Sequence, residues 1–272
     1  MQATNDNSLP ARGPFSLDDE PAYRRWREAK LADHPASVAE LQVTIRDPLR
    51  LSAAEKRALG ECCRRANMAI YRLCRPQGDP ADKEGIRALG AQLGLRRLHH
   101  NLCADEDGIS SLRVVSAGQR HTYIPYSSRP ISWHTDGYYH PPGQRIRGML
   151  LHCVQPAVRG GDNALLDPEI AYIHLRDSNP DYIYALMHPR AMTIPANDVE
   201  DGEPRPAQSG PVFSVDEAGH LHMRYTARTR SIEWRDDADT RAATACLSAF
   251  LASDSPWIFR HRLAAGEGLI CN

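Results

Sequence analysis

The chain has 272 residues, is 42% hydrophobic and 25% charged, and carries a formal net charge of -1. That is an ordinary globular composition, large enough to bury a core without disulfide or metal staples. It offers no electrostatic case for nucleic acid or an anionic membrane, and no apolar run is long enough to span a bilayer.

Residues 1–20 read as a flexible arm, because the first residues are rich in Asn, Asp, Ser, Pro and Gly. They lack the apolar centre of a signal peptide, so the expected location is cytoplasmic. Seven scattered cysteines without a C-x-x-C pair fit reduced thiols in such a compartment.

A helical stretch containing Trp26 comes next. Leu41-Gln-Val-Thr-Ile45 alternates and is β-branched, which predicts an early strand. Ser52-Ala-Ala-Glu55 is a capping box, and Leu59, Cys62, Cys63, Ala66 and Ile70 continue at helical spacing. A further helix is expected from about Asp79-Pro80 to Gly94, a suitable glycine for a helix end.

From Leu112 the texture changes to short strand-like runs broken by Gly and Pro. These are Leu112 to Val115, Ile131 to His134, Gly148 to Val154, Val212 to Val215 and Leu221 to Tyr225. Asp167-Pro168-Glu169 and Asn179-Pro180-Asp181 each open an inserted helix with proline at its first position. A last helix covers Ala238 to Leu251, and Trp257 to Arg260 and Leu269 to Cys271 read as final strands. Regular strand–helix alternation is missing, which argues against a doubly wound sheet. The expected fold is α+β to mainly β: a double-stranded β-helix, or jelly-roll, core with flanking and inserted helices. The expected organisation is one domain over 21–272, helical in 21–110, with its core in 111–272.

Chemistry concentrates in Ile131-Ser-Trp-His134-Thr-Asp136-Gly137-Tyr-Tyr139. Residues two apart on a strand share a face, so His134 and Asp136 can grip one metal ion. Two histidines and a carboxylate make the facial triad of non-haem iron(II) oxygenases. With 12 histidines in the chain, the spacing alone fits a surface or capping His–Asp pair equally well. Tyr138 and Tyr139 are candidates to line a pocket or to pack on the sheet. His222-Met-Arg224-Tyr225-Thr-Ala-Arg228-Thr-Arg230 brings three arginines together. That suggests either an anionic substrate group or a solvated basic edge, with Arg224 and Arg228 as candidate contacts. His220 and His222 also stand two apart, but beside Gly219 they read as part of a hairpin.

Trp133-His-Thr-Asp-Gly137, then Arg147-Gly-Met-Leu-Leu151, then Gly160-Gly-Asp-Asn163 resembles the taurine dioxygenase (TauD/TfdA) family, which includes γ-butyrobetaine hydroxylase-like enzymes. The resemblance covers about residues 110–272. It implies iron(II) held by His134 and Asp136, with 2-oxoglutarate as co-substrate and dioxygen as oxidant. Oxidation of an unactivated C–H bond of a small molecule follows, with succinate and CO2 as co-products. Asn163 stands where the family usually has a threonine that helps to hold 2-oxoglutarate; an amide can donate to the same carboxylate. The family's distal histidine and 2-oxoglutarate arginine are expected beyond Asn272, in a fragment or a truncated chain. The alternative function is a non-catalytic jelly-roll binding protein that lacks a complete triad. A metal-dependent hydrolase is a third reading, and a homo-oligomer is left open.

Overall fold

The computed structural model describes residues 12–74, 83–99, 105, 108–116, 118–196, 205–228 and 232–271. The chain divides into two compact units, each assembled from three separate stretches. One takes the chain up to Val38, Trp133–Arg145 and Ala164–His261. The other takes Ala39–Ser132, Ile146–Asn163 and Arg262–Asn272.

In chain order the elements are α1 (Glu20–Asp33), β1 (Gln42–Ile45), α2 (Ala53–Ala66), β2 (Met68–Leu73), α3 (Lys83–Gln92), β3 (Met149–His152) and β4 (Asp162–Leu165). Then come α4 (Pro168–Ser178), α5 (Pro180–Leu186), β5 (Met192–Ile194), β6 (Gln208–Gly210), β7 (Phe213–Val215) and β8 (Leu221–Met223). The last are β9 (Glu233–Trp234), α6 (Ala238–Leu251), β10 (Phe259–Arg262) and β11 (Glu267–Cys271). The expected start of α3 near Asp79 lies outside the described residues.

The second unit is built on a mixed four-stranded sheet of order β1-β2-β11-β3. β1 and β2 run parallel, joined through α2, and β11 is antiparallel to both β2 and β3. The capping box forms as expected: Ser52 accepts from the Glu55 N–H, and the Glu55 carboxylate accepts from the Ser52 N–H at 2.7 Å. Helical spacing had carried this helix on to Ile70. Instead α2 stops at Ala66, because Asn67 takes a left-handed turn (φ 54°) and its N–H closes on the Cys63 carbonyl at 2.7 Å. Asn tolerates that conformation better than any branched residue, and Met68-Ala-Ile-Tyr-Arg-Leu73 then pairs as a central strand.

The first unit holds the largest apolar cluster. Phe15, Tyr23, Tyr172 and Phe213 are buried there with Leu175, Leu186 and Leu247. The Phe15 ring meets Trp26 and Tyr172 edge-on, at centroid distances of 4.9 and 5.3 Å. Phe15 belongs to the stretch expected to be a free arm. Its ring is what docks that stretch, and Arg176 fastens it through a bond to the Pro14 carbonyl at 2.9 Å. Helices α4 and α5 start where Asp167-Pro168 and Asn179-Pro180 predict, and α6 covers the expected Ala238 to Leu251, capped by Asp237 through the Thr240 N–H. Lys30 of α1 bridges Asp167 and Glu169 at the start of α4, with Asp167 fully buried.

The remaining strands are short. β5 pairs with β6 and β9, β7 with β8, and β4 with β10. The molecule is thus mixed α and β, and its described strands do not join into one closed jelly roll. Leu112 to Val115 is irregular, and Ile131 to His134 is reduced to one antiparallel bridge between His134 and Thr226. Six described cysteines are free thiols, and no described helix is long and apolar enough to cross a membrane.

Candidate active site

The His134–Asp136 segment lies in the first unit, where it runs antiparallel to Tyr225–Ala227. The Thr135 N–H donates to the Tyr225 carbonyl at 2.9 Å, and the Tyr225 N–H donates to Thr135 Oγ1 at 3.0 Å. The Ala227 N–H donates to the Trp133 carbonyl at 2.7 Å, and Trp133 Nε1 anchors the segment on the Leu251 carbonyl. With Thr135 turned inward by these bonds, its two neighbours share the other face. The chain then leaves through Gly137, whose φ of 67° glycine adopts without steric cost.

His134 Nε2 and Asp136 Oδ1 are 3.6 Å apart, and both side chains are substantially exposed. Two donors about 2.1 Å from one ion, at right angles, would be separated by about 3.0 Å. A small side-chain rotation closes that difference, so the pair fits two adjacent positions on a six-coordinate metal. An imidazole and a carboxylate are also a donor set that iron(II) accepts. Among the described residues no cluster of three His, Cys, Asp or Glu side chains could hold a metal ion.

The other sequence candidates fall in two classes. Arg228 is exposed, and its Nη1 donates to the Tyr138 hydroxyl at 3.2 Å. Tyr138 and Tyr139 pack edge to face, with centroids 5.3 Å apart. Arg224 behaves differently. Its Nε donates to the Tyr138 carbonyl at 2.7 Å, Nη1 to the Met192 carbonyl at 2.9 Å, and Nη2 to the Gln208 carbonyl at 2.8 Å. Burial, and secondarily the charge of Arg145, lower its pKa to about 10. A guanidinium committed to three main-chain carbonyls has little left for a ligand, so the expected substrate contact is here a brace under Tyr138. Spacing could not separate the two arginines, because the carbonyls that capture Arg224 come from β5, β6 and the turn after Gly137.

Asn163 lies on β4 in the second unit, after Gly160 and Gly161, which both have positive φ. Its Nδ2 lies 3.5 Å from the Gly161 carbonyl. His220 sits in the β7–β8 hairpin, where Asp216 accepts from its backbone N–H at 2.9 Å and lies 3.5 Å from its ring. That is the turn chemistry read from Gly219. Sequence reasoning passed over Arg205, whose guanidinium carbon stands 5.1 Å from the centre of the Tyr139 ring. Nothing in Gly-Glu-Pro-Arg205-Pro singles it out except its charge.

A family model described as taurine catabolism dioxygenase TauD, TfdA family, matches residues 29–272. The chain belongs to the TauD/TfdA family. This TauD/TfdA chain is 36% identical over 145 residues to a uridine-5'-phosphate dioxygenase of Amycolatopsis sp, covering 51% of the chain and 50% of that relative. It is 32% identical over 177 residues to a protein of the same name from Streptomyces sp, covering 62% of the chain and 61% of the relative. The matches thus span only half to about three fifths of these curated relatives. Among solved structures, the chain resembles the non-haem iron oxygenase OrfP in complex with Fe, succinate and (3S)-hydroxy-L-Arg. The TM-score is 0.55 at 19% identity, over 82% of this chain and 72% of that one. It also resembles an asparagine oxygenase in complex with Fe(II), 2S,3S-3-hydroxyasparagine and succinate. There the TM-score is 0.56 at 16% identity, over 97% and 78% of the two chains. At these identities the likeness establishes a shared fold.

Proposed function

We propose that this TauD/TfdA protein is an Fe(II)/2-oxoglutarate-dependent dioxygenase that oxidises an unactivated C–H bond of a small anionic molecule, on the family's jelly-roll core. The observation that carries the proposal is the braced His134–Asp136 pair, with its donors 3.6 Å apart. Family membership and the fold shared with iron oxygenases support it. The metal with 2-oxoglutarate and dioxygen supplies the oxidising chemistry, with succinate and CO2 as co-products.

In this reading the protein positions the reacting groups. His134 and Asp136 hold the metal. Arg228 binds the substrate's anionic group, and the Tyr138 hydroxyl, to which Arg228 already donates, fixes its direction. Arg224 keeps Tyr138 in place from the main-chain side. Two relatives named for uridine-5'-phosphate make a nucleoside monophosphate the first substrate class to try.

The test is succinate formation from 2-oxoglutarate by the full-length protein with iron(II), with and without uridine 5'-phosphate. The nucleotide is expected to stimulate turnover, and His134→Ala to remove it while the far-UV circular dichroism is unchanged. Turnover retained in His134→Ala rules out the ligand assignment. No turnover with any candidate substrate, but tight binding of one, favours the non-catalytic binding protein.

A further inference from the structure

Each of the two aromatic residues that follow the Asp136–Gly137 turn has a guanidinium group against it. Arg228 reaches the Tyr138 hydroxyl, and Arg205 lies over the Tyr139 ring. The rings are themselves in contact, so both guanidinium groups stand against one aromatic pair. Some arginines of the molecule have carboxylate partners, as Arg27 has Asp177, Arg65 has Glu40, Arg72 has Glu267 and Arg241 has Asp236. Among the described residues neither Arg205 nor Arg228 forms such an ion pair. Arg205 Nε is moreover buried without a hydrogen-bond acceptor among those residues.

A buried donor of a cationic group without an acceptor is costly, and two uncompensated cations on adjoining rings raise the local potential. Both costs fall when an anion with several acceptor oxygens binds to both groups. Carboxylates and sulfonates bring one charge; a phosphate monoester near neutral pH brings close to two, and three acceptor oxygens. We propose that Arg205 is the second anion-binding residue of the site, and that Arg205 and Arg228 together clamp a phosphate monoester beside Tyr138 and Tyr139. The proposal rests on the anionic-substrate reading above and adds to it a specificity: a doubly charged group, recognised by two guanidinium groups from different parts of the chain.

The experiment is equilibrium binding by calorimetry to the full-length protein with iron(II) and 2-oxoglutarate under anaerobic conditions. The probes are uridine 5'-phosphate, inorganic phosphate and uridine. The wild type is expected to bind the nucleotide more tightly than uridine, with an affinity that falls as salt rises. Arg205→Gln is expected to weaken nucleotide and phosphate binding by about tenfold or more and to leave uridine binding unchanged. Arg205→Lys, which keeps the charge over the ring, recovers part of the loss, and Arg241→Gln serves as an unaffected surface control. Wild-type affinity for the nucleotide in Arg205→Gln overturns the proposal. So does an equal loss for nucleotide and uridine, which would mark Arg205 as structural, or a wild type that does not prefer the nucleotide. Nucleotide binding without any succinate formation would instead sink the dioxygenase reading and leave the clamp standing.

Discussion

Arg224 offers the sharpest test of how the site is held. In Arg224→Gln the side chain can no longer reach the carbonyls of Tyr138, Met192 and Gln208 together. A hydrogen bond from a charged donor contributes roughly 1.5–3 kcal/mol. Three of them do not add fully, since the cost of burying the guanidinium disappears with it and some carbonyls regain water. A net loss of about 3 kcal/mol is a reasonable balance, equivalent to a fall in Tm of roughly 6–12 °C for a domain of this size. Thermal unfolding followed by circular dichroism measures this directly, and Arg224→Lys should lose nearly as much, because an ammonium cannot span three acceptors on different elements. Anion binding should weaken only as far as Tyr138 loses its place. If Arg224→Gln melts like the wild type yet no longer binds uridine 5'-phosphate, the brace is the wrong description and Arg224 is a substrate ligand after all.

Three further outcomes follow from the packing. Lys30→Met strands the fully buried Asp167 carboxylate and should cost about 3–5 kcal/mol in urea unfolding, with part recovered in Lys30→Met/Asp167→Asn. Gly268→Ala places its new methyl on the Tyr71 ring across the β2–β11 ladder, so it should destabilise by about 1–3 kcal/mol or prevent folding, as denaturant titration would show. His174 stacks on Phe250 with its Nε2 3.7 Å from Cys246 Sγ, and burial lowers its pKa while Asp177 partly opposes. Its unfolded form therefore takes a proton first, at about pH 6.5, so stability present above that pH declines as the pH falls below it. His174→Gln should flatten the Tm profile between about pH 7 and 5, and an unchanged profile would count against this assignment.

Much of the helical framework was legible because helix ends are local. Ser52, Asp167, Asn179 and Asp237 each announce a start within four residues of themselves. Strands of two or three residues such as β5, β6 and β9 carry too little alternation to be seen, and they exist because partners far along the chain meet them. β2 was hidden differently: its apolar residues continue the helical spacing of α2, and only the left-handed Asn67 separates the two. At the site, the two-residue spacing of His134 and Asp136 fits a capping pair as well as a metal pair, and only the order of the TauD/TfdA-like motifs around them singles them out as candidates. The different surroundings of Arg224, Arg228 and Arg205 are not legible in the sequence at all, since each depends on what lies around a guanidinium in space.

The place of β11 has a consequence for synthesis. It lies between β2 and β3, so Ile70 and Leu150 wait for Leu269 and Ile270, which leave the ribosome long after both. During translation the inner edges of β2 and β3 carry unmatched amides and apolar side chains, the template that promotes pairing with a second nascent chain. Solubility of this protein when expressed should therefore depend on β11 more than its length suggests. Slower elongation or a chaperone that shields strand edges should act on this sheet, and not on the helices of the first unit.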